Sequence, residues 1–163
     1  MISDVIFPLE ASSDQAQTAI VATFTLLEDW SERYQYLMDL GRRLPDFPAQ
    51  WKTQNYRLHG CQSQVWIVPE GDAQRIDFHA ISDSAIVSGL IYLILRIYSG
   101  RSAEEIVQTP AWCLAQIGLT AHLSTTRSQG MASFITFIQS HAQRVLDQPD
   151  YPLASGHEGH IER

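Results

Sequence analysis

The stretch AIVSGLIYLILRIY, Ala85–Tyr98, limits the fold more than any other part of the chain. As a helix it is apolar all round, interrupted only by Ser88, Gly89 and Arg96. Such a helix either spans a membrane or fills the centre of a core. Its longest unbroken apolar run, residues 90–95, falls far short of the roughly 20 residues that a span requires. A central buried helix is therefore expected, capped at Ser82 or Asp83 and ended by Gly100. A chain of 163 residues can wrap one such helix in a single domain, but would bury two domains poorly.

The flanking patterns say what does the wrapping. QTAIVATFTLLEDW repeats apolar residues at Ile20, Phe24 and Leu27, which is helical spacing. Asp29, three residues before Glu32, forms a capping-box pattern for a second helix, SERYQYLMDLGRRL. Tyr34, Leu37, Met38 and Leu44 lie on its apolar stripe, and the prolines of PDFP end it. The period then changes. QVWIV is a continuous apolar run suited to a strand covered on both faces, PEGDAQ is a turn, and RIDFHAI alternates. Residues 64–81 thus read as an antiparallel hairpin, with a shorter strand expected at NYRL before it. Beyond the central helix, short helices are expected around SAEEIVQ and AWCLAQIG. A last one is capped by Thr126, with Gln129 three residues on, and carries Met131, Phe134, Ile135, Ile138, Ala142 and Val145 on one stripe. Residues 1–14 read as an irregular lead-in, 15–148 as the domain and 149–163 as a flexible tail. The fold class is α+β: a small antiparallel sheet packed against a helical layer.

Charge and cysteine content narrow the function. A net charge of −7, with Lys52 the sole lysine and no basic run, argues against a nucleic-acid binder. The start, MISDVIFPLEASSD, has acids where a secretory signal has cations, so a cytoplasmic protein without a membrane role is expected. Two cysteines make no disulfide scaffold, and a reducing compartment keeps both as thiols. Cys113 sits between Trp112 and Leu114 in an apolar helix and reads as core. Cys61, in HGCQSQVWI, is more open. Gly60 frees the backbone beside it, and Gln62, Ser63 and Gln64 are poor core residues, so it reads as a thiol displayed on a loop. A buried cysteine at a strand edge remains the other reading at this point. There is no C-x-x-C, and HEGH at 157–160 lacks zinc-protease spacing, so no metal site is expected. A cysteine hydrolase needs a histidine near Cys61; His79 and His122 are available, but nothing in the spacing selects them. Arg127 opens the last helix, where the macrodipole disfavours a cation by about 0.3–1 kcal/mol; alone, it reads as a solvated side chain.

Four blocks in order carry a family resemblance. GCQSQVWI at 60–67 resembles the signature loop of SufE, the sulfur acceptor that works with the cysteine desulfurase SufS. WSERYQYLMDLGRRLP, SDSAIVSGLI and LSTTRSQGM resemble the family's N-terminal, central-helix and R-S-Q-G blocks. CsdE is the close relative. The resemblance implies a fold like that of the IscU scaffold. It implies that Cys61 accepts sulfur as a persulfide, that Arg127 supports the thiolate or persulfide, and that His59, Gly60, Gln62, Ser63 and Asp83 serve the loop that meets the partner. It further implies a SufS-like partner with its own pyridoxal phosphate, a downstream SufBCD-like scaffold, and no cofactor in this chain. The extra cysteines of IscU are missing, which favours relay of sulfur over cluster binding. The expected role is a sulfurtransferase-type carrier without multiple-turnover catalysis of its own, its thiol folded into a shallow apolar pocket when alone. The competing readings are an allosteric desulfurase partner that carries no sulfur, and a thiol-dependent peroxidase or hydrolase.

Overall fold

A computed structural model describes residues 5–148. In chain order the helices are α1 (Ser13–Leu26), α2 (Trp30–Gly41), α3 (Ala85–Tyr98), α4 (Ala103–Gln108), α5 (Trp112–Gln116), α6 (Leu119–His122) and α7 (Thr125–Asp147). Between α2 and α3 lie two 3₁₀ turns, Ala49–Trp51 and Gln54–Tyr56, and the strands β1 (Val65–Asp72) and β2 (Arg75–Ser82). The expected α+β class holds, with a two-stranded antiparallel sheet among the described residues. No described helix is long and apolar enough to cross a membrane. The tail expected from residue 149, with its HEGH, lies outside the described residues.

Helix α3 is the centre that its composition demands: residues 88–95, Ile97 and Tyr98 are all buried. It sinks that deep because glycines meet where α2 crosses it. A Cβ on Gly89 would stand 2.0 Å from the Leu37 carbonyl oxygen, and one on Gly41 would stand 2.9 Å from the Gly89 nitrogen. Leu37, Leu40 and Leu44 bury the inner side of α2 and its exit, whereas Met38 is only half-buried.

The hairpin register puts Ile67 opposite Ala80, Pro69 opposite Phe78 and Gly71 opposite Ile76 on the core face. The other face pairs Val68 with His79 and Glu70 with Asp77. The 3₁₀ segment covers it: Trp51 packs on His79 at 5.3 Å, and Lys52 lies over the Trp66 ring at 5.8 Å. A continuous apolar run is what a strand covered on both sides needs.

Several local expectations shift. NYRL is not a strand; it forms the second 3₁₀ turn and one bridge, Arg57 to Trp66. The α3 cap is Ser84, which accepts the Val87 N–H, because Ser82 still pairs with Val65 and Asp83 still bonds Gln64. The α7 cap is Ser124, not Thr126, since Thr125 is already helical. Asp29 caps α2 as expected, accepting the Glu32 N–H. Helix α6 was not anticipated; Gly118, at φ +86°, separates it from α5. Residues 5–12 have no helix or strand, but they are fastened down. Phe7 packs edge-on against Tyr92 at 5.2 Å, Glu10 pairs with Arg96, and buried Arg101 donates to the Glu10 carbonyl.

One buried histidine escaped the sequence pattern. His141 on α7 is 3% exposed and lies between Phe78 and Phe137. Burial, and then the Arg144 charge one turn on, push its pKa down from 6.5 to about 4.

Two outcomes follow from these contacts. Gly89→Ala forces α2 and α3 apart and should destabilise the protein by about 3 kcal/mol or more, measured by urea unfolding. Because His141 is held neutral in the fold, its contribution is whole above the unfolded pKa near 6.5 and is lost as pH falls toward 4. Urea unfolding should therefore show about 2–3 kcal/mol less stability at pH 4.5 than at pH 7 from this group. His141→Gln should flatten that part of the profile.

Candidate functional site

Residues 59–64 form a loop that is fixed at its ends. At its base the Leu58 N–H donates to the Val65 carbonyl at 2.8 Å, next to the Arg57–Trp66 bridge. At its far end the Gln64 N–H donates to Asp83 Oδ1 at 3.1 Å, and the Asp83 N–H returns to the Gln64 carbonyl at 3.2 Å. Asp83 is exposed, and its observed role is to tie the loop to the turn before α3.

Between these ties the loop leans on α7. Gly60 takes φ +98°, a left-handed conformation that L side chains avoid, and a Cβ there would meet Ser133 Oγ at 3.0 Å. Cys61 is half-buried, and its Sγ–H donates to the Gly130 carbonyl at 3.7 Å. A Cβ on Gly130 would lie 3.4 Å from that sulfur, so the glycine gives the thiol an uncovered stretch of helix backbone to rest on.

Cys61 faces a cleft of about 300 Å³. The loop supplies Gln62 and Ser63, α3 supplies Val87 and Leu90, and the start of α7 supplies Ser124, Thr126, Arg127 and Met131. The pocket expected to be apolar is thus apolar only along Val87, Leu90 and Met131; the rest is polar. Arg127 is exposed, and its backbone N–H is held by the Ser124 hydroxyl, so the first turn of α7 brings it to the same cleft as Cys61. His59 is exposed and does not line the cleft.

The electrostatics favour a protonated thiol at rest. Burial pushes the Cys61 pKa up, with Arg57 opposing it, and donation to a carbonyl also favours the S–H form. Arg57 was missed in the sequence, where it fell within an apparent strand four residues before the cysteine. Cys113 is the contrast: fully buried, its pKa is pushed up to about 12, chiefly by burial. The two histidines open to a hydrolase reading are engaged elsewhere. His79 bonds Glu70 at 2.8 Å, and His122 stacks on Trp30 at 3.9 Å. No group of three or more metal-ligating side chains occurs among the described residues.

The chain is similar to known proteins over most of its length. A family model described as "SufE: Fe-S metabolism associated domain" matches residues 18–142. A SufE-like protein of Rhizobium meliloti (strain 1021) is 40% identical over 132 residues, covering 78% of this chain and 94% of its own. A SufE-like protein of Rhizobium etli is 38% identical over 138 residues, covering 82% and 90% respectively. Among solved structures, that of a hypothetical protein from Thermus thermophilus aligns with TM-score 0.67 at 17% identity, covering 82% of this chain and 97% of that one. This last match speaks to the fold alone.

The loop geometry predicts how the two thiols react. Iodoacetamide at pH 8 should alkylate Cys61 at least about tenfold faster than Cys113, read by peptide mass mapping. Gly60→Ala should cost about 1–2 kcal/mol through its positive φ, and it should speed Cys61 alkylation by lifting the loop from Ser133. Equal reactivity of the two cysteines would contradict the half-buried placement.

Proposed function

The chain belongs to the SufE family and so has a role in Fe–S metabolism, and from that premise we propose that it is a sulfur acceptor and carrier. Cys61 takes sulfur from a SufS-like, pyridoxal-phosphate-dependent cysteine desulfurase, stimulates that enzyme, and passes the sulfur to a SufBCD-like scaffold in the cytoplasm. The observation that carries this reading is a single thiol on a loop tied at both ends, resting on the Gly130 carbonyl beside a cleft. A thiol with a raised pKa and a carbonyl for its partner is poorly prepared to act alone. It suits a relay, in which another protein's active site supplies the chemistry.

The transfer is thiol–disulfide exchange in form. The Cys61 thiolate attacks the outer, sulfane sulfur of the partner's cysteine persulfide. A new S–S bond forms on Sγ, the partner's S–S bond breaks, and its electron pair leaves on the partner's thiolate. No net oxidation occurs, and the reverse step with an acceptor thiol unloads Cys61. Swinging the loop between Leu58 and Gln64 outward breaks one long S–H···O bond, the approach of Gly60 to Ser133 and the packing of half-buried Cys61 against the core. Partner binding selects the outward form. When the loop folds back, the cleft has room for the added sulfur, with Val87, Leu90 and Met131 on one side and Arg127 on the other.

Incubation with a desulfurase and cysteine, followed by intact mass without reductant, should show an addition of about 32 Da on Cys61. Cys61→Ser should abolish it. An unmodified wild-type protein, with stimulation preserved in Cys61→Ser, would replace the carrier by an allosteric partner.

A further inference from the structure

The cleft beside Cys61 differs in charge from the chain that carries it. The sequence holds 18 acidic residues against 11 lysines and arginines, a net charge of −7. Among the described residues, however, no carboxylate lines the cleft, and its cation is Arg127. The Arg127 side chain is exposed and makes no ion pair among the described residues, whereas Arg42, Arg75 and Arg96 each hold a carboxylate. Ser63 and Thr126 add hydroxyl-bearing side chains, and Val87 and Leu90 form an apolar wall. An acidic chain repels small anions over most of its surface. An unpaired guanidinium in the cleft that the Cys61 sulfur faces reverses that locally, because its planar fork suits a carboxylate. At about 300 Å³ the cleft lies at the small end of ligand pockets, which span roughly 300–1,000 Å³. Its volume suits a molecule of amino-acid or short-peptide size.

We propose that this cleft is a binding site for a small thiol that bears a carboxylate, and that such a thiol collects sulfur directly from loaded Cys61. The carboxylate pairs with Arg127, the carbon stem lies along Val87 and Leu90, and the thiol reaches the cysteine. The acceptor thiolate attacks the sulfane sulfur. A new S–S bond forms on the acceptor, the bond to Sγ breaks, and its electron pair leaves on the Cys61 thiolate. The proton that the acceptor thiol gave to solvent is regained there. One persulfide is consumed and one is made, so nothing is oxidised overall. The site is thus an outlet for sulfur that needs no protein acceptor. Delivery to the small thiol rests on the carrier reading above, but recognition of an anionic thiol compound beside Cys61 does not.

The test is the rate at which Cys61 in the full chain forms mixed disulfides with dithiodipropionate, hydroxyethyl disulfide and cystamine, which are anionic, neutral and cationic. Intact mass and peptide mapping read the adduct on Cys61. Each rate is divided by that of free mercaptoethanol with the same reagent, which removes intrinsic reactivity. The anionic reagent should be favoured over the cationic one by about tenfold, against the sign of the net charge. Arg127→Gln should abolish the preference, Arg127→Glu should invert it, and Arg127→Lys should keep most of it. Arg75→Gln, at the far turn of the hairpin, makes the same change in net charge and should leave the preference in place. Equal corrected rates in the wild type, or an unchanged preference in folded Arg127→Gln, overturn the proposal. After loading by a desulfurase, mercaptopropionate should remove the added mass of about 32 Da faster than cysteamine does, on the same corrected scale. If no sulfur loads while the disulfide preference holds, the carrier reading falls and the anion-selective site stands. If sulfur loads but leaves equally fast to both thiols, the outlet is overturned and the carrier reading stands.

Discussion

The near contact of α2 and α3 backbones at Gly41 and Gly89 is the constraint on which the other packing depends. With a Cβ at Gly89 only 2.0 Å from the Leu37 carbonyl, no larger residue fits without separating the helices. Separation would lift α3 out of the position where it meets α1, the hairpin and α7 together. The functional site feels this directly. Val87 and Leu90, either side of Gly89 on α3, form part of the cleft wall beside Cys61.

The cysteine loop uses the opposite strategy. Its ends are bonded to rigid elements, β1 at one side and the β2–α3 turn at the other, while its middle rests on α7 through contacts that are easily broken. Backbone hydrogen bonds at the base keep the register of Cys61 relative to the sheet. In the middle, the one hydrogen bond of the thiol is the long one to the Gly130 carbonyl. Two glycines make the resting position possible, Gly60 through its positive φ and Gly130 by leaving helix backbone bare beneath the sulfur.

Much of this was legible in the residues. The all-round apolar AIVSGLIYLILRIY had to be central, and the switch from helical to alternating period located the hairpin. Where expectations slipped, a neighbouring element had prior use of the residue. Ser82 and Asp83 could not cap α3 because the first pairs with Val65 and the second bonds Gln64. NYRL has strand-like composition, but the chain there must turn to cover the outer face of β1, and it turns as a 3₁₀ segment. His141 fell outside the apolar stripe of α7 because a histidine counts as polar in any periodicity, whereas its ring fills a space between Phe78 and Phe137.

What the sequence determined by itself is the larger elements, the choice of α3 as the centre, the separation of Cys61 from Cys113, and the family that the four blocks mark. These rest on local patterns: period, turn residues and short motifs, which are written along the chain. What only the tertiary structure decided is the environment of the sulfur. Cys61 meets Gly130 on α7, 69 residues away, and shares a cleft with Val87 and Leu90 from α3 and Arg127 from α7. The influence of Arg57 on the thiol depends on how the chain turns before β1. Charge and desolvation act through space, so a residue's chemistry is set by whichever segments the fold brings beside it.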